Sequence, residues 1–285
     1  MKKAALILEG GGLRGVYTAG VLDCFMENKL RFEYVIGVSM GACLGASYVA
    51  NQRGRNEKVT IGLVSDKRYF SFRNMIKTGN VFGADFVYNE IPKRLIPFDY
   101  VTFLNSRTKF YMTCFDCDSG ETVYIDKNEI SDVNKGFRAT SSLPLLSTMV
   151  EIDNKKLLDG GIIDPIPFEK AIKDGYEKVV VILTREEGYR KSKQKFMSLL
   201  KLKYPRYPKI IEAMEKRHEK YNYQLDQLKK LEQSGKAFII SPSRKPEVSR
   251  LEKDEKKLRN LFELGFNDSN NRMAELEMFL SNGGI

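Results

Sequence analysis

The hydrophobic positions of the first fifty residues alternate between short apolar runs and stretches with helical spacing. Residues 4–9 form an apolar run that ends at a glycine-rich turn, and residues 34–38 form a second run. Apolar residues with helical spacing follow each of them, over residues 16–28 and 40–51. This order of strand, helix, strand and helix predicts a parallel sheet with helices on its faces.

Later apolar runs predict further strands and divide the chain into two parts. These runs lie at residues 110–115, 122–125, 148–152 and 179–184. One more helix is predicted at residues 167–174. Residues 190–235 and 249–281 are charged and predicted helical, and an apolar run at residues 237–241 predicts one last strand, a candidate to rejoin the main sheet. The predicted fold is therefore α/β, with a mainly parallel sheet in residues 1–185 and a helical, basic extension in residues 186–285.

Residues 55–108 are rich in aromatic side chains and are interrupted by glycine and proline. Two interpretations remain open for this stretch. It is either a cap over an apolar pocket or a set of helices whose aromatic side chains face the core.

The net charge of +10 is concentrated in the second part of the chain, where 22 basic residues stand against 15 acidic ones. Within it, residues 190–209 contain no acidic residue. Their basic residues are Arg190, Lys191, Lys193, Lys195, Lys201, Lys203, Arg206 and Lys209. Such a patch favours contact with an anionic membrane surface, although a solvated helical face is the commoner explanation of a run of charges. No nucleic-acid partner is expected.

No apolar run approaches the roughly 18 residues that a membrane-spanning helix needs. The apolar run near the N-terminus is too short for a signal peptide and is read as the first strand. The expected location is therefore cytoplasmic, with peripheral membrane contact through residues 190–209 as an option.

A G-x-S-x-G motif lies between the second predicted strand and the second predicted helix. Gly37, Ser39 and Gly41 form it. A serine at such a sharp turn exposes its hydroxyl, and the start of the helix adds positive potential beside the oxygen. We expect Ser39 to be a nucleophile.

A second motif follows the first strand and consists of Gly10, Gly11, Gly12, Arg14 and Gly15. Successive glycines leave backbone N–H groups free to converge on a developing oxyanion. The same string fits the dinucleotide-binding fingerprint, which also requires an acidic residue at the end of the second strand. Because that strand ends in the serine motif instead, the pair of motifs favours acyl transfer, with a dinucleotide-binding module as the alternative.

The base that would activate the serine is not expected to be a histidine, which leaves a carboxylate, an amine or a group supplied in trans. His218 is the only histidine, and it lies in a charged helical stretch typical of the surface. Asp159, followed by Gly160 and Gly161, comes after a strand-like end and is the best candidate. An aspartate with an ordinary pKa of about 3.9 is a weak base, so Asp159 needs burial or a strong oxyanion hole.

Cys114 and Cys117 form the only C-x-x-C pair, without a second pair or a histidine nearby. Two thiols are too few for a zinc site. They are interpreted as free thiols at a strand end, and no metal or other cofactor is expected.

The three glycine-flanked motifs, in this order and spacing, resemble the patatin-like phospholipase family over residues 4–184. Residues 139–144 are similar to the small-residue, proline-ended segment that the family carries before its aspartate. The resemblance implies a three-layer sandwich and a dyad of Ser39 and Asp159 that hydrolyses fatty acyl esters without a metal. It also implies an oxyanion hole at Gly10, Gly11 and Gly12, with Arg14 nearby to favour anionic lipid or to hold the loop.

One position departs from the family pattern, because Asp164 stands where an asparagine is expected a few residues after Gly161. This carboxylate either alters Asp159 or affects only the loop. Besides the lipid acyl hydrolase and the dinucleotide-binding module, a third function stays open. The chain could be a non-catalytic membrane-surface protein that binds through residues 190–209.

Overall fold

The computed structural model describes residues 2–281 as a central β-sheet with helices on both faces. Eight strands form the sheet within this range. The strands are β1 Lys2–Leu8, β2 Phe32–Val38, β3 Lys109–Asp116, β4 Thr122–Asp126, β5 Val150–Ile152, β6 Lys155–Asp159, β7 Val179–Ile182 and β8 Ala237–Ile240.

The helices surround this sheet and include one π-helical segment, Phe86–Leu95. The α-helices are α1 Val16–Glu27, α2 Met40–Val49, α3 Arg55–Thr60, α4 Phe72–Thr78, α5 Tyr100–Asn105, α6 Val133–Thr140, α7 Phe168–Lys173, α8 Met197–Lys203, α9 Pro208–Gln233, α10 Glu255–Asn271 and α11 Met273–Ser281. None of these helices is both long and apolar enough to cross a membrane.

The sheet is mostly parallel, as predicted. Its order is β5-β6-β3-β2-β1-β7-β8, and β4 also pairs with β3. The five neighbouring strands β3, β2, β1, β7 and β8 pair in parallel. The antiparallel strands are β4, β5 and β6. Between β5 and β6 the chain turns at Asp153 and Asn154, both with positive φ, the conformation that tight hairpin turns require.

Successive side chains of the central strands point to opposite faces, which gives three layers. Ala5 and Ile7 of β1 pack in one cluster with side chains of α7 and α9. Leu6 and Leu8 pack on the other face with side chains of α1, α2, α6 and α10. This arrangement confirms the predicted α/β sandwich with helices on both faces.

The C-terminal part of the chain completes the sheet and one helical layer. β8 pairs in parallel with β7, as the apolar run at residues 237–241 predicted. α10 lies against α1 so closely that a Cβ atom on Gly20 would be 2.0 Å from the carbonyl oxygen of Phe262. A Cβ atom on Gly265 would be 2.1 Å from that of Tyr17. The division of the chain at residue 185 stays a prediction.

The predicted helices of this part begin too early, since residues 190–196 and 249–254 are irregular. Their backbone groups bond to other elements instead of to a helical turn. The amide of Lys191 donates to the side chain of Asn222 on α9, which donates back to the carbonyl of Lys191. The carbonyl of Arg250 accepts from the amide of Leu13 in the glycine loop.

Candidate active site

Ser39 lies at a sharp turn between β2 and α2. Its φ is 56° and its ψ is −129°, a conformation that costs a residue with a side chain about 1–3 kcal/mol. The flanking glycines make the turn possible, because a Cβ atom on Gly41 would lie 2.6 Å from the carbonyl oxygen of Leu8. A Cβ atom on Gly37 would lie 2.6 Å from the backbone of Ala42. The turn has the geometry of a nucleophile elbow.

The glycine loop follows β1, the strand beside β2, so it lies at the same edge of the sheet as Ser39. A Cβ atom on Gly10 would be 3.1 Å from Cβ of Ser39. Among residues 2–281, the N–H groups of Gly10, Gly11 and Gly12 find no hydrogen-bond acceptor. Gly12 has a positive φ of 59°. Free donors of this kind are what an oxyanion hole requires.

Asp159 ends β6, opposite Cys114 of β3, and its side chain is buried. Oδ1 accepts a hydrogen bond of 2.7 Å from the amide of Gly161. Oδ2 has no hydrogen-bond partner within the part of the chain that the structure describes. Burial raises the pKa of Asp159 above its ordinary value, and the nearby Ser39 hydroxyl is the largest opposing influence. A raised pKa makes this carboxylate a better base.

The C-terminal end of α6 connects the serine to the aspartate. Thr140 accepts a hydrogen bond of 3.0 Å from the amide of Ser39 and donates one of 2.5 Å to the carbonyl of Thr113 on β3. The carbonyl of Ser142 accepts from the amide of Asp159 at 2.9 Å. The sequence marked residues 139–144 by resemblance alone, and this positioning role was missed.

The other residues of the three motifs lie around these groups. Gly15 packs against α2, where an added Cβ atom would be 2.8 Å from Cγ of Met40. Gly160 packs against β3, with the carbonyl oxygen of Thr113 at 2.4 Å from an added Cβ. Gly161 lines a pocket together with Ser39 and Asp159.

Asp164 and His218 lie outside this arrangement. Tyr124 and Gln224 donate to the two carboxylate oxygens of Asp164, at 2.7 and 2.6 Å. Its carboxylate is therefore bound on the side of α9. His218 contacts the carbonyl of Glu215 on its own helix through Nδ1.

An apolar cavity of about 110 Å³ opens beside Ser39. Its lining includes Tyr69, Phe82, Val87, Tyr88, Ile91, Phe98 and Phe137. Most of these side chains belong to residues 55–108, so the aromatic-rich stretch contributes a cap over a pocket. An apolar cavity of about 150 Å³ binds benzene, so this one has room for an apolar group of only a few carbons.

A second pocket, basic and polar, opens on the other side of Ser39. Its acidic and basic side chains are Glu9, Arg14, Asp159, Arg185, Lys191, Arg217 and Arg250. Sequence reasoning singled out Arg14 and placed Lys191 in the membrane patch, but it assigned no role to Glu9, Arg185, Arg217 or Arg250. Single charged residues that lie far apart in the sequence carry no local signal that the fold brings them together.

The two neighbouring thiols of the C-x-x-C pair are free and buried, one in β3 and the other just after it. Within residues 2–281 no group of three or more His, Cys, Asp or Glu side chains is placed to hold a metal ion.

Comparison with known proteins places this site in a family. The model of the patatin-like phospholipase family matches residues 6–172, which include the three motifs, and the chain belongs to this family. A second model, described as a domain of unknown function (DUF6363), matches residues 207–281.

Three relatives illustrate the range of similarity. The Escherichia coli (strain K12) protein YjjU is 32% identical over 188 residues, which cover 64% of this chain and 52% of YjjU. The Mycobacterium tuberculosis (strain H37Rv) NTE family protein Rv1063c is 23% identical over 165 residues, 58% of this chain and 44% of that protein. Lysophospholipase nte1 of Aspergillus oryzae is 27% identical over 173 residues, 57% of this chain and 10% of that protein.

This chain therefore spans about half or less of the length of these relatives. Among solved structures, VipD from Legionella pneumophila superposes with a TM-score of 0.48 at 10% identity, covering 98% of this chain and 67% of VipD.

Proposed function

We propose that the protein is a serine lipid acyl hydrolase that cleaves fatty acyl esters through an acyl-Ser39 intermediate. The observation that carries the proposal is the position of Ser39. It lies in a strained elbow between an apolar cavity and a polar pocket that also holds a buried carboxylate. Family membership and the lysophospholipase name of one relative support the same reaction class.

In the proposed reaction, Asp159 accepts the proton of the Ser39 hydroxyl as its oxygen attacks the ester carbonyl. The acyl chain occupies the apolar cavity, so the carbonyl carbon lies over the serine. The free N–H groups of Gly10, Gly11 and Gly12 then donate to the oxyanion. Collapse of the tetrahedral intermediate expels the alcohol, which takes the proton back from Asp159. Water then attacks the acyl-serine with Asp159 again as base, releasing the fatty acid.

A dinucleotide-binding module is less well supported. The strand that would carry a ribose-binding acidic residue, β2, ends at Val38, and the next residue is Ser39 in the elbow, not an acidic residue. Thr184 lies 2.8 Å from a Cβ atom placed on Gly11, so the loop packs tightly against the end of β7.

We also propose peripheral contact with anionic membranes through α8. Phe196, just before α8, and Leu199 and Leu202 on it are exposed, and Lys195, Lys201 and Lys203 are direct sequence neighbours of Phe196 and Leu202. Apolar side chains flanked by lysines suit the interface of an anionic bilayer. α8 also adjoins the site, because Lys203 donates to the carbonyl of Leu145, two residues after Leu143, which lines both pockets.

Labelling with a fluorophosphonate, combined with hydrolysis of p-nitrophenyl hexanoate, tests the proposed chemistry. The wild type is expected to be labelled at Ser39 and to release p-nitrophenol. Ser39→Ala is expected to lose both, with turnover lower by at least about 10³-fold. Ser106→Ala, at a loop serine after α5, is the matched control and should keep both. Label on a different residue, or turnover that survives in Ser39→Ala, would reject the proposal.

A further inference from the structure

The basic pocket beside Ser39 contains more positive charge than its own acids can neutralise. Five cations line it and only two carboxylates, Glu9 and Asp159. The cations come from distant parts of the chain: Arg14 from the glycine loop, Arg185 and Lys191 from the segment after β7, Arg217 from α9, and Arg250 from the loop before α10.

Neither carboxylate forms an ion pair with these cations. Glu9 accepts hydrogen bonds from Tyr221 at 2.7 Å and from the amide and hydroxyl of Thr184 at 2.6 and 3.0 Å. Asp159 accepts from the amide of Gly161. Across residues 2–281, no salt bridge includes any of the five cations.

The side chains of these cations are also short of neutral hydrogen-bond acceptors, although Arg185 lies over the ring of Tyr189 and Lys191 over that of Tyr221. Arg217 donates to the carbonyl of Gly161, but the other four side chains donate to no acceptor within the described residues. The Nε atoms of Arg14 and Arg185 are buried without a partner. Arg14 is only 7% exposed. Buried donors without partners are costly, so a cluster of them indicates that an acceptor from outside is expected.

Burial and the closeness of these positive charges lower the pKa values of two of the cations, Lys191 and Arg217. Burial, followed by the fields of Arg217 and Arg250, lowers the pKa of Lys191 to about 7. Burial and the field of Arg250 lower the pKa of Arg217 to about 10. A bound anion would relieve both effects, because it favours the protonated forms.

The missing acceptor is best matched by a phosphate group. Several guanidinium groups converge here, and each presents a fork of N–H donors that fits phosphate oxygens. Ser39, Gly12, Leu143 and Arg250 line both pockets, so a molecule whose ester carbonyl reaches Ser39 extends into both. Its acyl chain takes the apolar side, and its alcohol portion takes the basic side.

We infer that the pocket lined by Arg14, Arg185, Lys191, Arg217 and Arg250 is a phosphate subsite that holds the headgroup of a phosphate-bearing acyl glycerol beside Ser39. This assignment rests on the proposed hydrolase function and specifies its substrate class. Three of the cations follow residue 190, so the C-terminal part of the chain supplies most of the recognition.

Two soluble esters that differ only in the phosphate test this assignment. We expect 1-hexanoylglycerol 3-phosphate to be hydrolysed with a kcat/KM about tenfold or more above that of 1-hexanoylglycerol, since one charge-assisted hydrogen bond supplies about a factor of ten. Arg185→Gln and Arg250→Gln should each lower this ratio several-fold, and Arg185→Lys should restore part of it. Arg107→Gln, an exposed arginine before β3, is the matched control and should leave the ratio unchanged.

Calorimetry on Ser39→Ala distinguishes a lipid headgroup from free phosphate. We expect sn-glycerol 3-phosphate to bind more tightly than inorganic phosphate, and the binding to weaken when Arg185→Gln and Arg250→Gln are added. Suppose that the two anions bind equally and that kcat/KM is the same for the ester with and without the phosphate. The pocket would then be a site for free phosphate, and its assignment to a lipid headgroup would be overturned.

The outcomes also separate this inference from the proposed function. Serine-dependent hydrolysis of p-nitrophenyl hexanoate without preference for the phosphorylated ester overturns the subsite and leaves the hydrolase standing. Arginine-dependent binding of glycerol 3-phosphate without hydrolysis of any ester overturns the hydrolase and leaves the phosphate pocket standing.

Discussion

At the scale of single residues, the site combines a strained serine with a carboxylate that burial makes more basic. Ser39 has a positive φ, and Asp159 keeps one oxygen free of hydrogen bonds within residues 2–281. Both features oppose stability and favour reactivity. Strain and unpaired polar atoms that persist in a packed core are typical of functional sites.

Asp159 is expected to set the acidic limit of activity. Because its pKa is raised by burial, kcat/KM for p-nitrophenyl hexanoate should fall, as pH decreases, at a pH above the ordinary aspartate value of about 3.9. Asp159→Asn should abolish turnover. A pH–rate profile from pH 4 to 8 measures the limit, and retained activity in Asp159→Asn would contradict the role.

The raised pKa of Asp159 should also lower the thermal stability of the protein at neutral pH. The pKa of Asp159 is higher in the folded than in the unfolded protein. Between these two pKa values the folded protein therefore binds more protons than the unfolded one. Because of this difference, the free energy of unfolding falls as pH rises through that range. At pH 7 we therefore expect Asp159→Asn to unfold at a temperature no lower than the wild type. The matched comparison is Asp153→Asn, in the exposed β5–β6 turn, which should leave the unfolding temperature unchanged.

Lys191 gives the phosphate subsite a pH dependence of its own. With a pKa of about 7, it is about half charged at pH 7 and loses the rest of its charge as pH rises to 9, while the arginines around it remain mostly protonated. The charged groups acting on it are Arg14, Arg217, Arg250 and Glu9. Affinity for glycerol 3-phosphate, a dianion above a pKa of about 6, should therefore weaken over this range.

Lys191→Arg tests this dependence, since an arginine stays charged up to pH 9. Calorimetric titrations at pH 7, 8 and 9 should show a declining affinity for the wild type and a nearly constant one for the variant. An identical decline in both proteins would assign the pH effect to another group.

At the scale of elements, the best-predicted parts are those that local pattern determines. The strands and helices of residues 4–51 follow from apolar periodicity, and the elbow follows from glycines on either side of Ser39. The starts of the C-terminal helices were wrong because residues near Lys191 and Arg250 bond to α9 and to the glycine loop. Such bonds join residues far apart in sequence, and periodicity does not report them.

The contact between α1 and α10 offers a test of how the C-terminal part is attached. Gly265→Val should destabilise the protein by about 2 kcal/mol or more, because a Cβ atom there meets the carbonyl oxygen of Tyr17 at 2.1 Å. Valine has the higher helix propensity, so a loss must come from packing. Asn267→Val, on the exposed side of α10, is the control. Thermal unfolding should show a fall of about 5 °C for the first, and equal melting temperatures would contradict the close packing.

At the scale of the whole molecule, the two segments that match family models contribute to the same sheet and line the same pocket. Residues 6–172 supply the serine, the aspartate and the glycine loop, and residues 207–281 supply Arg217, Arg250 and β8. The proposed division at residue 185 therefore leaves Arg14 and Arg185 with the serine and the aspartate, and places the other three cations of the basic pocket in the C-terminal part. The sequence identified the serine, the aspartate and the glycine loop through compact motifs, whereas the cluster of cations exists only after folding.

The exposed face of α8 is expected to hold the site against an anionic membrane. Leu202 is 79% exposed, and Lys203 next to it bonds to the loop that lines both pockets. Burying a leucine side chain in the interface is worth about 1.5–3 kcal/mol, so Leu202→Ser should weaken binding to phosphatidylglycerol vesicles about tenfold. Added salt should weaken it as well, because it screens the lysines.

Met278→Ser is the matched control for this experiment. Met278 is 62% exposed on α11, which contacts the start of β7 through Lys178 and Phe279 at the opposite edge of the sheet from Ser39. Vesicle sedimentation should therefore give wild-type binding for this variant. If both variants lose binding equally, or if neutral phosphatidylcholine vesicles bind as well as anionic ones, the contact is unspecific adsorption of apolar side chains. Selective loss in Leu202→Ser would orient the molecule with both pockets facing the lipid, the geometry in which a phosphate-bearing acyl glycerol passes from the bilayer to Ser39.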